Sequence, residues 1–302
     1  MSGQFNRREF LATTGTLAAG ATLVSAASSR VGAAAQARCA APSAEKLGWQ
    51  LSVAMYTFRR FPFYQALDKV VALGITAVEP AFFLKLDQAR PQLTTGDSLA
   101  PDVRAELKQK LAASGIKMSS YYSNVGSDEA AASRAFEFAK EMGVNTIVAE
   151  PPAEAFAMVD RLCEQFQINV AIHNHPKSPQ SKYWNPEHVL EVCRGRSKRI
   201  GACCDTGHWV RSGLKPVECL KKLEGRIISM HLKDVGEWDK PAARDVPLGT
   251  GLADYAGVLR ELQRQGFRGL MAIEYEHDTE KLVDDVAECV AFVEKTARTL
   301  AR

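Results

Sequence analysis

Four short apolar segments of the chain each stop at a residue type that binds metal ions. These residues are Glu150, Asp205, His231 and Glu274. If the segments are parallel strands, their carboxyl ends meet at one edge of a sheet, which brings the four side chains together. Three carboxylates and one imidazole suit one divalent ion of intermediate hardness, namely Mn, Co, Mg, Zn or Fe. Each residue alone could be a polar strand end bonded to a loop, but four at corresponding places favour a metal site.

Two charged residues follow the last two of these positions and are expected to share the site. Side chains two apart on a strand lie on the same face of the sheet, which places Lys233 beside His231 and Glu276 beside Glu274. An ammonium group there can stabilise an oxyanion or donate a hydrogen bond to a substrate. Asp234 either joins this group or caps the loop that follows its strand.

Three histidines and one tryptophan are candidates for contact with a substrate. His173 and His175 end another apolar segment, where an imidazole can bind metal, transfer a proton or donate to a substrate, and we favour substrate contact. His208 follows Asp205 by three residues in a turn that returns it to that carboxylate, where it can bind a hydroxyl or orient a ligand. Trp184 can stack on a sugar ring, or pack within its own loop.

The chemistry-bearing residues belong to a repeating pattern of strands and helices. The predicted strands cover residues 51–56, 75–79, 116–121, 145–150, 168–173, 200–205, 226–231 and 270–275. Strands that alternate with amphipathic helical segments indicate a parallel sheet, and eight such units favour a single-domain (β/α)8 TIM barrel. An open doubly wound sheet is the alternative, but no Gly-x-Gly-x-x-Gly turn follows the first strand. The long connections follow the strands, where barrel enzymes build their active sites.

The N-terminal residues have the features of an export signal. Arg7, Arg8 and Glu9 precede a stretch that carries no charged residue until Arg30, and small residues follow. This pattern predicts a twin-arginine signal peptide over residues 1–37 and a periplasmic mature domain over residues 38–302. An uncleaved signal anchor is the alternative. After cleavage no stable membrane anchor is expected, because no later stretch is long and apolar enough.

Charge and cysteine content exclude several classes of protein. The formal net charge is +3, from 38 Lys and Arg against 35 Asp and Glu. This near balance does not indicate a nucleic-acid partner. The seven cysteines contain no Cys-x-x-Cys pair, so neither a disulfide framework nor a thiolate zinc cluster is expected. The oligomeric state is left open and includes a homo-oligomer.

Five short motifs resemble the xylose isomerase-like family of sugar isomerases and epimerases, from about Leu47 to the C-terminus. The motifs are Ala149-Glu150-Pro151, Asp205-Thr206-Gly207-His208, His231-Leu232-Lys233-Asp234, Leu248-Gly249-Thr250-Gly251 and Ile273-Glu274-Tyr275-Glu276. The resemblance implies a TIM barrel with a divalent metal on Glu150, Asp205, His231 and Glu274. It also implies that Glu150 and Glu274 move the proton in catalysis. The family includes dehydratases, lyases and nucleases acting at abasic sites, so the substrate does not follow.

The predicted chemistry is removal of a proton next to a carbonyl. The metal would stabilise an enediolate while a carboxylate takes the proton, with Lys233 or a histidine supporting the oxyanion. Export and the absence of a Gly-rich phosphate loop favour an unphosphorylated keto-sugar as the partner. A lyase or hydratase acting on a 3-keto-glycoside is the alternative to an isomerase or epimerase. More remote are a sugar-binding protein without catalysis and a nuclease for damaged DNA, the latter disfavoured by the charge balance.

Overall fold

Eight parallel strand positions form a barrel in the computed structural model, which describes residues 41–302. The strands are β1 (Trp49–Ala54), β2 (Ala77–Glu79), β3 (Lys117–Met118), β4 (Tyr121–Tyr122), β5 (Thr146–Ala149), β6 (Asn169–His173), β7 (Ile200–Asp205), β8 (Ile227–Leu232), β9 (Asp234–Val235), β10 (Asp245–Val246) and β11 (Gly269–Ile273). β3 and β4 are two halves of the third barrel strand, and β11 is the eighth. Tyr122 closes the ring, because its backbone bonds to Pro80 and Phe82 just beyond β2.

Helices follow most of the barrel strands. They are α1 (Pro42–Lys46), α2 (Phe63–Ala72), α3 (Pro101–Ala113), α4 (Glu129–Glu141), α5 (Phe156–Phe166), α6 (Pro186–Cys193), α7 (Thr206–Arg211), α8 (Pro216–Lys222), α9 (Tyr255–Arg264) and α10 (Leu282–Leu300). Proline in the first turn starts α3 and α6 without the loss of a backbone hydrogen bond. The Asp128 and Asp254 carboxylates cap α4 and α9. None of the described helices has the length and apolar character needed to cross a membrane.

The single-domain barrel predicted from the sequence is confirmed, and all eight predicted strand segments contain strand. Three short elements were not predicted: α1, α7 and the antiparallel ribbon of β9 and β10. Elements of two to six residues are too short to show a hydrophobic period, so their formation depends on tertiary contacts. The signal predicted for residues 1–37 lies outside the described residues, and both export and cleavage stay predictions.

The barrel interior below the strand ends is apolar and tightly filled. Val148, Ala171 and Cys203 form a small cluster there, contacted by Tyr122 and Ile228. The six cysteines within residues 41–302 are free and buried. The interior therefore gives the polar side chains at the strand ends an apolar floor.

Gly201 allows β7 to approach β8 at the place where these strands position the site. A Cβ atom at Gly201 would lie 2.2 Å from the Arg226 carbonyl oxygen, and the β7–β8 register shifts just beyond, between Ala202 and Cys203. A backbone atom in a barrel cannot move aside cheaply.

Gly201→Ala is therefore expected to lower the free energy of unfolding by about 1–3 kcal/mol, because overpacking forces the strands apart. Urea denaturation of the purified protein measures this. Gly126→Ala is the matched control, since a Cβ there meets no atom within 4 Å. The control is expected to change stability by less than about 0.5 kcal/mol. Equal stability of the two variants would contradict the close approach of β7 and β8.

Candidate active site

A cavity of about 340 Å³ opens at the carboxyl ends of the barrel strands. Its lining residues are Ala54, Tyr56, Glu79, Ala81, Phe83, Tyr122, His173, His175, His208, His231, Glu274 and Glu276. The aromatic rings come from the first three strand positions, where Phe83 makes edge contacts with Tyr56 and Tyr122 at 5.9 and 6.4 Å between centroids. The imidazoles come from β6, β8 and the segments after β6 and β7. The cavity thus combines an aromatic wall with a cluster of metal-binding side chains.

Two overlapping groups of potential metal ligands face this cavity. In the first, one ligand atom each of His173, Asp205, His208 and Glu274 lies within 4.8 Å of all the others. The second group consists of Glu150, His173 and His175. His173 belongs to both, with Nε2 3.6 Å from Asp205 Oδ2 and Nδ1 3.6 Å from Glu150 Oε1. The imidazole of His173 therefore lies between two carboxylates at the centre of the site.

Glu150 is separated from the first group by this imidazole. It ends β5, and β6 with His173 lies between β5 and β7 in the barrel. Its Oε1 accepts a hydrogen bond from Tyr122 at 2.9 Å and lies 2.8 Å from His175 Nδ1. Burial would raise the pKa of Glu150, but His173 and His175 hold it well below its usual value. The structure thus places Glu150 at the border of the site, and its assignment as a ligand stays a prediction.

His231 lies between two glutamates at the end of β8. Its Nε2 is 2.7 Å from Oε1 of Glu79, and its Nδ1 is 3.2 Å from Oε2 of Glu274. Burial alone would lower the pKa of His231, but the surrounding acidic groups raise it well above its usual value. His231 and Glu274 are thus brought together as the sequence predicted.

Lys233 is the centre of an ion-pair network below the cavity. Its ammonium lies 2.8 Å from Glu274, 3.0 Å from Glu276 and 3.1 Å from Asp205, and its side chain is 0% exposed. Burial would lower the pKa of Lys233, but the three carboxylates raise it well above its usual value. Lys233 does not line the cavity, so its direct part in catalysis stays a prediction.

His208 and Glu276 are held in place by Arg211 of α7. The guanidinium lies 3.0 Å from His208 Nδ1, 2.7 Å from Glu276 Oε2 and 2.6 Å from Asp245 Oδ1. Burial raises the pKa of Asp245 to about 7, against the opposing effect of Lys233 and Arg211. Burial also lowers the pKa of His208 well below its usual value, which keeps this ring neutral. Arg211 thus connects the turn after β7 to the ribbon and to β11.

Two further sequence predictions concern residues beside the cavity. Trp184 packs against His188 with 6.0 Å between ring centroids, and Lys177 Nζ lies 4.8 Å from its ring. It does not line the cavity, and its substrate contact stays a prediction. Asp234 accepts hydrogen bonds from four backbone amides, those of Val235, Gly249, Gly251 and Ala253. Of the two interpretations of Asp234, loop capping is confirmed.

The structure adds residues that the sequence interpretation missed. Glu79 ends β2 as the other acids end their strands, so the same rule would have found it. Arg211 and Asp245 carry no such signal, because the ion pairs of Arg211 with Asp245 and Glu276 join residues 34 and 65 positions apart along the chain. Phe83 lies in the long loop after β2, where sequence alone does not indicate which aromatic ring faces the cavity.

The donor set fits a divalent cation. Both ring nitrogens of His173 and Nδ1 of His231 are buried and have no hydrogen-bond partner among the described residues. Asp205 Oδ2 is also buried, and its contact is with the Lys233 ammonium, 3.1 Å away. Buried polar atoms are normally paired, so the unpaired nitrogens indicate a missing ligand. The acids around the site are Glu79, Glu150, Asp205, Asp245, Glu274 and Glu276, whereas Lys233 and Arg211 are the cationic side chains that contact them. A divalent ion would offset part of this excess negative charge.

The barrel and its polar strand ends define an enzyme family. Residues 67–295 match the family described as Xylose isomerase-like TIM barrel, and the chain belongs to it.

Curated relatives match parts of this chain. The rhizopine catabolism protein MocC of Rhizobium meliloti is 27% identical over 135 residues, which are 40% of this chain and 40% of that protein. An inosose dehydratase of Clostridium botulinum is 35% identical over 89 residues, which are 24% of this chain and 30% of the dehydratase. The matches thus span less than half the length of these relatives.

Solved structures share the fold over almost their entire length. An uncharacterized protein from Parabacteroides distasonis is 30% identical, with a TM-score of 0.66 over 82% of this chain and 99% of its own. A xylose isomerase-like protein from Mycobacterium smegmatis in complex with magnesium has a TM-score of 0.68 at 17% identity, over 85% and 99% of the two chains. The IOLI protein with a zinc atom has a TM-score of 0.60 at 19% identity, over 83% and 98%.

The network around Lys233 leads to a stability prediction. Lys233→Met removes the ammonium that pairs with the buried carboxylates of Asp205 and Glu274. The free energy of unfolding is expected to fall by about 3–5 kcal/mol, as when one partner of a buried pair is lost. Lys295→Met is the control at an exposed position of α10, with an expected change below about 0.5 kcal/mol. Chemical denaturation compares both variants, and a loss below 1 kcal/mol for Lys233→Met would refute the compensating role.

Proposed function

We propose that this protein is a divalent-metal-dependent enzyme of the sugar isomerase and epimerase type. It removes the proton next to the carbonyl of an unphosphorylated keto-sugar and proceeds through an enediolate. The observation that carries the proposal is that both ring nitrogens of His173 and Nδ1 of His231 are buried without a hydrogen-bond partner among the described residues. These atoms lie beside Asp205 and Glu274 at the floor of a cavity open to solvent.

Asp205, His231 and Glu274 are the residues that would hold the ion. His173 is available as the fourth ligand, in the place for which the sequence suggested Glu150. When bound, the ion supplies a Lewis acid that polarises the carbonyl and increases the acidity of the neighbouring C–H bond. The rest of the chemistry depends on side chains of this chain.

Two carboxylates are the proposed proton carriers. Glu150 and Glu274 lie on different sides of His173, at the ends of β5 and β11. Acid–base groups that approach a substrate from two directions can move a proton between neighbouring carbons or between the two faces of one carbon. The hydrogen bond from Tyr122 and the contact with His175 hold the Glu150 carboxylate in one orientation.

The cavity lining supports an unphosphorylated substrate. Its acidic residues are Glu79, Glu274 and Glu276, and it includes no lysine or arginine among the described residues. Three carboxylates would repel a phosphate dianion, whereas neutral hydroxyl groups can donate hydrogen bonds to them. The Tyr56 and Phe83 rings supply apolar surface for the C–H face of a sugar.

Elimination at the same site is the second candidate, with a 3-keto-glycoside as substrate of a lyase or hydratase. His175 lines the cavity with 46% of its side chain exposed and contacts the Glu150 carboxylate. An imidazole in this position can protonate a departing oxygen, which isomerisation does not require. The inosose dehydratases among the relatives also favour elimination.

Metal content is the first expected outcome. Purified protein is expected to contain about one divalent ion per chain, and His231→Ala or Glu274→Gln should abolish it because each removes one ligand atom. Inductively coupled plasma mass spectrometry measures the content. His188→Ala is the control, since this histidine is exposed and its ring bonds to the Lys182 carbonyl rather than to a proposed ligand. Stoichiometric metal in both ligand variants would exclude the proposed ligands.

The reaction itself is tested by product analysis in deuterated water with free ketoses and 3-keto-glycosides. An isomerase or epimerase should introduce deuterium next to the carbonyl without loss of a substituent, whereas a lyase should release water or the aglycone. If elimination is the reaction, His175→Gln is expected to slow it about 10²-fold and to leave proton exchange largely intact, because the variant lacks the proton donor. Turnover with neither exchange nor loss of that proton would refute the enediolate mechanism.

A further inference from the structure

We propose that Glu79 is a positioning residue, which fixes the tautomer of His231 so that Nδ1 is the atom presented to the metal. The inference rests on the proposed metal site and adds to it a residue that does not itself bind the ion.

The contact between Glu79 and His231 crosses the barrel interior. Glu79 ends β2 and His231 belongs to β8, and two strands, β1 and β11, lie between them in the sheet. The Glu79 Oε1 to His231 Nε2 distance is 2.7 Å, and the residues are 2% and 1% exposed. Because both side chains are buried, water does not compete for this contact.

Both oxygens of Glu79 are engaged. Oε1 contacts His231, and Oε2 accepts a hydrogen bond from the Ser120 hydroxyl in the interruption between β3 and β4. Glu79 contacts Nε2 of the His231 ring, whereas the proposed ligand Glu274 contacts Nδ1. Ser120 and His231 thus hold the Glu79 carboxylate where it contacts a proposed metal ligand without itself binding the metal.

The chemistry of the contact determines which ring nitrogen is free. An ionised carboxylate only accepts hydrogen bonds, so Nε2 of His231 must carry the proton. When the ring binds a metal it must be neutral, and Nδ1 then offers a free lone pair. This atom is buried, has no hydrogen-bond partner among the described residues and lies 3.2 Å from Glu274 Oε2. Ligand atoms about 2.1 Å from one ion lie about 3 Å apart, so Nδ1 and Oε2 suit a shared ion.

The expected loss of metal affinity follows from other metal sites in which a carboxylate contacts the second ring nitrogen of a metal-binding histidine. A carboxylate on the second nitrogen fixes the ring orientation and makes the ligand more basic, and its loss typically lowers metal affinity about 10–100-fold. The same effect is expected at Glu79. A glutamine retains an acceptor oxygen for Nε2–H, whereas leucine of similar size retains none.

The test compares three variants in the full-length protein: Glu79→Leu, Glu79→Gln and the control Glu288→Gln, an exposed glutamate of α10. Zinc affinity is measured by competition with a chelating dye. In parallel, nitrogen NMR of the zinc-loaded protein with ¹⁵N-labelled histidine identifies which nitrogen of His231 bears the proton, with the signal assigned by its loss in His231→Ala.

The expected result is an ordered series. Glu79→Leu should lose about 10–100-fold in zinc affinity, and its His231 should no longer be confined to the Nε2–H form. Glu79→Gln should keep the Nε2–H form with a smaller loss, and Glu288→Gln should match the wild type. The glutamine variant keeps the test decisive if the leucine variant does not fold.

Three results would overturn the inference: zinc bound through Nε2 in the wild type or in Glu79→Gln, unchanged affinity in Glu79→Leu, or equal losses in the leucine and glutamine variants. The last would mean that Glu79 contributes only its charge. Failure of the metal site itself is recognised separately, because the wild type would then bind no zinc before any variant is compared.

Discussion

One buried ammonium group makes the polar end of this barrel possible. Lys233 has no exposed side-chain surface and contacts Asp205, Glu274 and Glu276, which come from two different strands. Without it, three carboxylates would lie close together in a poorly hydrated place, and mutual repulsion would raise their pKa values or open the structure. With it, the pKa values of Asp205 and Glu274 lie well below their usual range. These acids are therefore ionised and ready to bind a cation.

The histidines of this charged centre are oriented by the carboxylates on either side of them. His173 lies between Glu150 and Asp205, and His231 lies between Glu79 and Glu274. A ring held on one side by a carboxylate presents a defined nitrogen on the other, which is how metal sites fix their ligands. The cavity above joins these groups to the rings of Tyr56 and Phe83, so that a sugar could meet polar groups and apolar surface together. The isomerase and lyase proposals share the removal of this proton. They differ in whether the proton returns to carbon or a neighbouring substituent leaves.

Family membership narrows the chemistry without choosing between these reactions. The family match covers most of the barrel, while the curated relatives match less than half of their own length. The differences between the expected and the observed site are therefore a better guide to the reaction. One difference is that His173 lies between Glu150 and the other proposed ligands, and another is the exposed His175 beside it.

The sequence by itself determined the barrel and the strand ends where Asp205, His231 and Glu274 meet. Both follow from short-range pattern, because eight alternating segments specify a parallel sheet and parallel strands bring their carboxyl ends to one edge. Only the tertiary structure decided that His173 lies in front of Glu150, that Lys233 is buried under the site and that Glu79 bonds to His231. Such contacts depend on strand neighbours and on side-chain direction across the barrel. Partners such as Glu79 and His231, 152 residues apart, leave no local signal in the chain.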